Sequence, residues 1–312
     1  MDNLKSKLEK GAVIRVEAPG RSFYFTSVFN APGIAKMFQY TERDIAEPLA
    51  VCVDNRMDVL NLTSDYPENA YHLSSKCWPG PLNLILKGNG KIPELLSAGS
   101  GYVMFNMPAS KEFRSIIVQA QVPLAVCGCD GEADHCPSDI EKITIDEDVI
   151  ADASVVSFAD KQKPVLVREG CVSSALIKET VDPLLKSHIH PKEYWSVLAA
   201  ETPLVTPFFI AAKGALSIEK NGNSGNIGVI TFGSAEQLTS DTVAIQSLSD
   251  SEDICEAAAN FFTTIREMDK KGFDSIVMET LPEKDLGRHI NALLRTMGMD
   301  MGKLAFLMNE GN

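Results

Sequence analysis

The sequence predicts a two-domain α/β protein, in which a mixed, twisted sheet with its helices is followed by a smaller parallel sheet. Three observations carry that expectation. A chain of 312 residues exceeds the usual size of one domain. Up to about Lys186, short apolar strands and amphipathic helices interleave without a repeat of fixed period. After Phe208 a strand-helix-strand-helix order returns with short joints, the pattern of a small parallel sheet. The stretch 187–207 between them holds His188, His190, Pro191, Pro203 and Pro207 without clear periodicity and reads as a linker. The expected organisation is therefore 1–186, a linker at 187–207, and 208–312.

Leu4 to Leu8 reads as a short first helix stopped by Gly11. Val13 to Val16 is a strand, and Phe23-Tyr24-Phe25 continues extended structure after the Pro19-Gly20 turn. Ile34, Met37 and Phe38 share one face of a helix beginning near Pro32, a residue suited to the first helical turn. Pro48 opens a strand over Leu49 to Val53. A helix around Ala70 to Lys76 leads into Trp78-Pro79-Gly80-Pro81, which must be a rigid turn because both prolines lack an amide donor and fix φ. The apolar run Leu82 to Leu86 ends at the turn cluster Lys87-Gly88-Asn89-Gly90 and reads as a buried strand pinned by Trp78.

Val103 to Phe105 and Pro123 to Cys127 are further strands, separated by a helix around Phe113 to Ala120. Val155 to Phe158 and Val165 to Val167 complete the first set. In the second, Ile227 to Phe232 is a strand, and Ser249 with Glu252 has the form of a capping box. The helix after it buries Ile254, Ala258, Phe261, Ile265 and Met268 and stops at Gly272. Ile276 to Met278 is a strand, and Leu286, Ile290, Leu293 and Met297 line the last helix, closed by Gly298. This second set is Rossmann-like in order but lacks a glycine-rich dinucleotide fingerprint. Asn221 to Asn226 precedes a strand instead of opening a helix, so it reads as a turn.

Hydrophobic residues at 45% with 23% charged fit a soluble globular protein. No apolar run approaches the ~20 residues that span a bilayer, and the N-terminus lacks the apolar core of a secretory signal. Seven scattered cysteines fit reduced thiols. These features make the cytoplasm the expected compartment. A net charge of −13 with no long Lys/Arg run argues against direct nucleic-acid binding.

The words Trp78-Pro79-Gly80-Pro81-Leu82 before a short aliphatic strand resemble the YrdC-type threonylcarbamoyl-AMP synthases, which make the activated intermediate for threonylcarbamoyl-adenosine in tRNA. The resemblance extends over nearly the whole chain. Lys36 through Arg43 to Pro48-Leu49 matches the stretch with the family's K-x-R motif. Pro19 to Tyr24 lies where the family has P-T-E-T-V-Y, and Pro123-Leu124-Ala125 precedes its S-x-N motif. Ala258 to Asn291, with Arg266-Glu267-Met268-Asp269, Leu281-Pro282-Glu283 and Leu286-Gly287, looks like the C-terminal domain of the two-domain form. The fold this implies is a YrdC-like domain followed by a smaller Rossmann-like one.

At the positions the resemblance marks as functional, the chain departs from the family. A site gathering bicarbonate, threonine and ATP needs cations, hydroxyls and amides. The lysine of K-x-R is Thr41, leaving Arg43. The P-T-E-T segment reads Pro19-Gly20-Arg21-Ser22. Asn106 replaces the arginine before the Met-Pro pair, and Gly128 and Asp130 replace the serine and asparagine of S-x-N. Ser154 keeps a hydroxyl and Arg168 keeps the arginine. The expected cavity is framed by Arg21, Ser22, Tyr24, Arg43, Asn106, Asp130, Ser154 and Arg168.

Retained scaffold with lost positive charge reads as a ligand-binding or regulatory pseudoenzyme that takes a small molecule or nucleotide. The alternatives are an active synthase, which would use ATP and magnesium, and a structural interaction module. Cys127, Cys129, His135 and Cys136 form a soft N/S group that could hold zinc, but C-x-C is not the usual zinc spacing, and core or loop cysteines are the favoured reading. The acidic runs Asp146-Glu147-Asp148 and Glu252-Asp253 read as solvated faces or helix-start charges.

Overall fold

A computed structural model describes residues 3–128, 137–147, 152–187, 190–200, 203–214, 226–234 and 243–300. It divides into two compact units, Met1–Arg43 with Glu47–Thr202, and Asp44–Ala46 with Pro203–Asn312. The first unit opens with α1 (Leu4–Glu9), β1 (Ile14–Ala18), β2 (Arg21–Ser27), α2 (Ala31–Thr41), β3 (Ala50–Cys52), α3 (Arg56–Leu62), α4 (Glu68–Cys77) and β4 (Leu82–Lys87). It continues with β5 (Tyr102–Asn106), α5 (Lys111–Ala120), β6 (Leu124–Gly128), β7 (Lys142–Thr144), β8 (Ser154–Ser157), β9 (Val165–Arg168), α6 (Ser174–Thr180), β10 (Leu185–Lys186) and α7 (Pro191–Ala200). Its ten strands form one mixed sheet in the order β10-β9-β8-β4-β5-β3-β6-β2-β1-β7.

The pairing register decides which residues share a face, because partners directly opposite one another point the same way. Asn83 pairs with Asn106, Asn106 with Cys52, and Cys52 with Leu124. Ala50 pairs with Met104 and Val126, and Phe23 with Gly128. All of these residues therefore look out of one face. Over β1, β2, β6 and β3 that face is covered by α1 and α5, in a core of Leu8, Ile14, Phe23, Phe25, Phe113 and Ile117.

Over β4, β5, β8 and β9 the same face is covered by α7, whose Tyr194, Trp195 and Leu198 pack on Ile85, Tyr102, Val155 and Val167. This corrects the reading of 187–207 as an irregular linker. Pro191 sits at the start of a ten-residue helix, and the apolar side chains at 194, 195 and 198 make one stripe. The prolines on either side obscure a pattern only two turns long. His188 of that stretch lies outside the described residues.

The second unit holds β11 (Phe208–Ala211), β12 (Ile227–Thr231), β13 (Val243–Ser247), α8 (Ile254–Lys270), β14 (Ser275–Glu279), α9 (Asp285–Met297) and β15 (Met299–Asp300). The five strands are all parallel, in the order β13-β12-β14-β11-β15. The expected fold class, a mixed α/β sheet domain followed by a parallel one, is what the chain forms. The start of α8 differs in detail: Asp253, not Ser249, is the N-cap, its side chain accepting from Glu256 N, while Ser249 Oγ accepts from Asp253 N. The buried stripe of α9 runs through Leu286, Ile290 and Leu294 instead of Leu293 and Met297. Among the described residues no helix is long and apolar enough to cross a membrane. The turn reading of Asn221 to Asn226 falls almost entirely outside the described residues.

Candidate functional site

The Trp78 turn fixes one wall of the site. Gly80 approaches the Cys77 carbonyl so closely that a Cβ would lie 2.2 Å from that oxygen, so only glycine fits. Gly80 N donates to Met107 O at 2.9 Å, tying the turn to the end of β5. The Trp78 indole Nε1 donates to the Leu82 carbonyl at 2.7 Å, and Asn106 Nδ2 donates to the same oxygen at 3.0 Å. The tryptophan is thus both a buried anchor and a partner in orienting a residue of the sheet face.

Where the α1/α5 cover meets this turn, a cavity of ≈ 480 Å³ opens over the sheet. Its floor is the shared face: Asn83, Met104, Asn106, Ala50, Cys52, Val126 and Gly128. Its rim is built from Gly20, Arg21 and Ser22, from Arg43 with Pro48 and Leu49, from Gly80 and Pro81, and from the entry to α5 at Pro108, Ala109 and Ser110. Among the described residues the wall carries two guanidiniums, Arg21 and Arg43, and no carboxylate side chain. Leu49, Phe113 and Val126 supply apolar surface beside them.

The cations differ in their surroundings. Arg21 is exposed at the rim. Arg43 Nη2 lies 3.3 Å from Glu47 Oε2, an ion pair formed by its own loop, while its Nε is buried without a hydrogen-bond partner. Thr41, where the resemblance expects a lysine, donates its hydroxyl to Met37 O at 2.8 Å and closes the end of α2. Ser110 Oγ accepts from Phe113 N as the cap of α5. Its hydroxyl, with the Glu112 amide, also holds the Glu147 carboxyl below its usual range. Of the two readings open for its acidic run, a solvated face or a helix-start charge, Glu147 follows the second, at the start of α5. Cys52, on the floor, is almost fully buried, and burial pushes its thiol up to about 12, so it stays protonated at neutral pH.

Of the residues expected to frame the cavity, Arg21, Ser22, Arg43 and Asn106 line it. Three others do not. Tyr24 is fully buried and points out of the opposite face, because it alternates with Phe23 and Phe25. Its hydroxyl accepts from Arg15 Nη1 at 3.3 Å and its ring meets Tyr40. Ser154 is also fully buried: its Oγ donates to Val172 O at 2.8 Å and accepts from Gly170 N and Val172 N, stapling β8 to the loop after β9. Arg168 spends Nε and Nη2 on the Ala153 carbonyl, at 3.0 and 2.7 Å, so it braces a residue of the wall from behind.

Asp130 lies outside the described residues, as do Cys129, His135 and Cys136. Among the described residues no group of three or more His, Cys, Asp or Glu side chains could hold a metal ion. Sequence reasoning missed Asn83, hidden inside an apolar strand, and Ser110, whose cap position before Phe113 was the available signal.

Residues 6–170 match the Sua5/YciO/YrdC family profile described as telomere recombination, and residues 185–295 match the profile for the C-terminal domain of threonylcarbamoyl-AMP synthase. The chain is similar to the threonylcarbamoyl-AMP synthase of Pyrococcus abyssi (strain GE5 / Orsay), 26% identical over 292 residues, covering 84% of this chain and 83% of that protein. It is also similar to the threonylcarbamoyl-AMP synthase of Bacillus subtilis (strain 168), 23% identical over 295 residues, covering 86% and 84%. Among solved structures, P. abyssi Sua5 complexed with L-threonine aligns with a TM-score of 0.52 and 18% identity over 94% of this chain and 93% of that one. A variant of the same protein carrying two alanine substitutions aligns at 0.53 and 20% over 94% and 91%. At that identity the structural likeness speaks for the fold. With a profile match over more than half its length and a second over most of the remainder, the chain belongs to the Sua5/YciO/YrdC family, in its two-domain form.

Proposed function

We propose that the cavity of the first unit binds a small molecule bearing one anionic group, a carboxylate or a single phosphate, and that the chain has given up threonylcarbamoyl-AMP synthesis. The observation that carries this reading is the state of its cations. Of the two guanidiniums that the described residues place on the wall, Arg43 is held by Glu47 and Arg21 stands exposed. A triphosphate brings several negative charges into one site, and each missing donor costs about 2.7–4 kcal/mol of transition-state stabilisation. Two guanidiniums, one already paired, suit a single carboxylate or phosphate far better.

On the active-synthase reading, magnesium would arrive on the nucleotide phosphates. L-threonine, with which P. abyssi Sua5 has been crystallised, is the first probe to try. The second reading, an active synthase using ATP, L-threonine and bicarbonate, is favoured by similarity across both domains to proteins of that name. Calorimetry with L-threonine, AMP and ATP tests the proposal. Binding of threonine or AMP, with ATP no tighter than AMP, is expected; ATP binding much tighter than AMP favours the active synthase, and no binding at all removes the ligand-site reading.

A further inference from the structure

Asn83 and Asn106 stand directly opposite each other on β4 and β5, and both line the cavity floor. Each amide nitrogen already makes one contact within the floor and its underlying strand. Asn106 Nδ2 donates to the Leu82 carbonyl, which also takes the Trp78 indole, and Asn83 Nδ2 points at Met104 Sδ at 3.6 Å. A carboxamide offers two N–H donors and one oxygen with two lone pairs, so with one N–H of each side chain engaged the oxygen is its less committed end. Among the described residues no donor approaches Oδ1 of either side chain. The floor therefore holds two adjacent acceptors. Cβ atoms of directly opposed residues are about 5 Å apart, so one group carrying two or three N–H bonds can reach both oxygens. An anionic oxygen placed there would face both carbonyl oxygens and could draw only on the one N–H left on each amide.

We propose that Asn83 and Asn106 form a subsite for an amino group, an inference that rests on reading the cavity as a small-molecule site. It adds which chemical group lies on the floor: a donor, with the negative charge left to the arginine rim. Two sources share this chemistry, the ammonium group of an amino acid and the exocyclic amine of a nucleobase.

Titration calorimetry on the full-length protein separates them with two pairs of probes. L-threonine is compared with 3-hydroxybutyrate, which lacks the ammonium, and AMP with IMP, in which a carbonyl replaces the amine. In at least one pair the amine-bearing member binds about tenfold more tightly, and that pair names the source. Asn83→Leu brings the two members to within about twofold of each other, and the isosteric Asn83→Asp widens the gap. Thermal unfolding establishes that each variant folds; if the leucine variant does not, the aspartate variant carries the test, and an unchanged gap overturns the subsite. Equal binding within both pairs overturns the subsite while leaving the ligand site in place. Binding of none of the four removes the ligand site and the subsite together.

Discussion

Among the described residues, polar side chains on the face of the first sheet line a cavity, whereas those at the carboxyl edge of the second sheet are turned back onto their own chain. That second edge is where open parallel α/β sheets ordinarily take ligands. Here Glu279, buried at the end of β14, accepts from Gly214 N at 2.9 Å and Phe232 N at 3.4 Å, closing the loops after β11 and β12. Lys213 pairs with Glu252 at 2.6 Å and lies over the Phe232 ring. Ser249 bridges Asp253 N and Glu256. Among the described residues these polar groups at that edge hold the chain to itself. In the first unit Arg21, Asn83 and Asn106 keep unspent hydrogen-bonding capacity at a cavity. A sheet edge of the right topology is thus no guide to function; what matters is where donors and acceptors are left over.

The contrast is most sharply broken by Glu279→Leu. It leaves the buried Phe232 amide without an acceptor, frees the more exposed Gly214 amide and is expected to cost about 2 kcal/mol in urea unfolding. Asn106→Leu, which strands no buried donor, is expected to cost about 1 kcal/mol by the same measurement. Equal losses at the two positions would erase the distinction between a structural edge and an open one.

Acid should act on the self-satisfied unit in a defined direction. Burial alone would raise the Asp269 carboxyl, but the amide and hydroxyl of Thr206, the Val205 amide and Arg266 together hold it below its usual value. A depressed folded-state value means stability that is present above the unfolded value, near pH 4, and is lost as pH falls through the folded one. Asp269→Asn should therefore lower stability at pH 7 and flatten its fall below about pH 4, as followed by thermal unfolding across pH. A parent and variant that lose stability in parallel on acidification would sink this assignment.

In the open region, Glu47→Gln releases Arg43 from its ion pair. Because that pair is partly solvent-screened, the expected gain in affinity for AMP is modest, about threefold, read by calorimetry at low salt. The smallest effect is chemical: Cys52, buried and protonated, should resist alkylation at pH 8 while exposed Cys171 reacts, as mass spectrometry of the intact protein would report.

These elements were unequally legible in the sequence. The Trp78 turn, the strands at Leu82 and Pro123 and both long helices of the second unit announce themselves through prolines and periodicity. Helix α7 does not, because its apolar stripe is only three residues long and lies among prolines. For the site, matching a motif placed Tyr24, Ser154 and Arg168 in the cavity, but a motif does not say which way a side chain turns. The period of two in Phe23-Tyr24-Phe25 would have sent Tyr24 to the other face. Ser154 and Arg168 are consumed by backbone groups at 170–172 and at 153, contacts invisible to local reading. Asn83 gains its meaning only from Asn106, its distant partner in the register of β4 and β5.

The central claim, a kept cavity without the synthase reaction, is tested most directly by incubating the purified chain with ATP, L-threonine, bicarbonate and magnesium and looking for threonylcarbamoyl-AMP by chromatography. The account predicts none above the protein-free control. Steady accumulation of that product by the unmodified protein would contradict it and make this chain a working synthase.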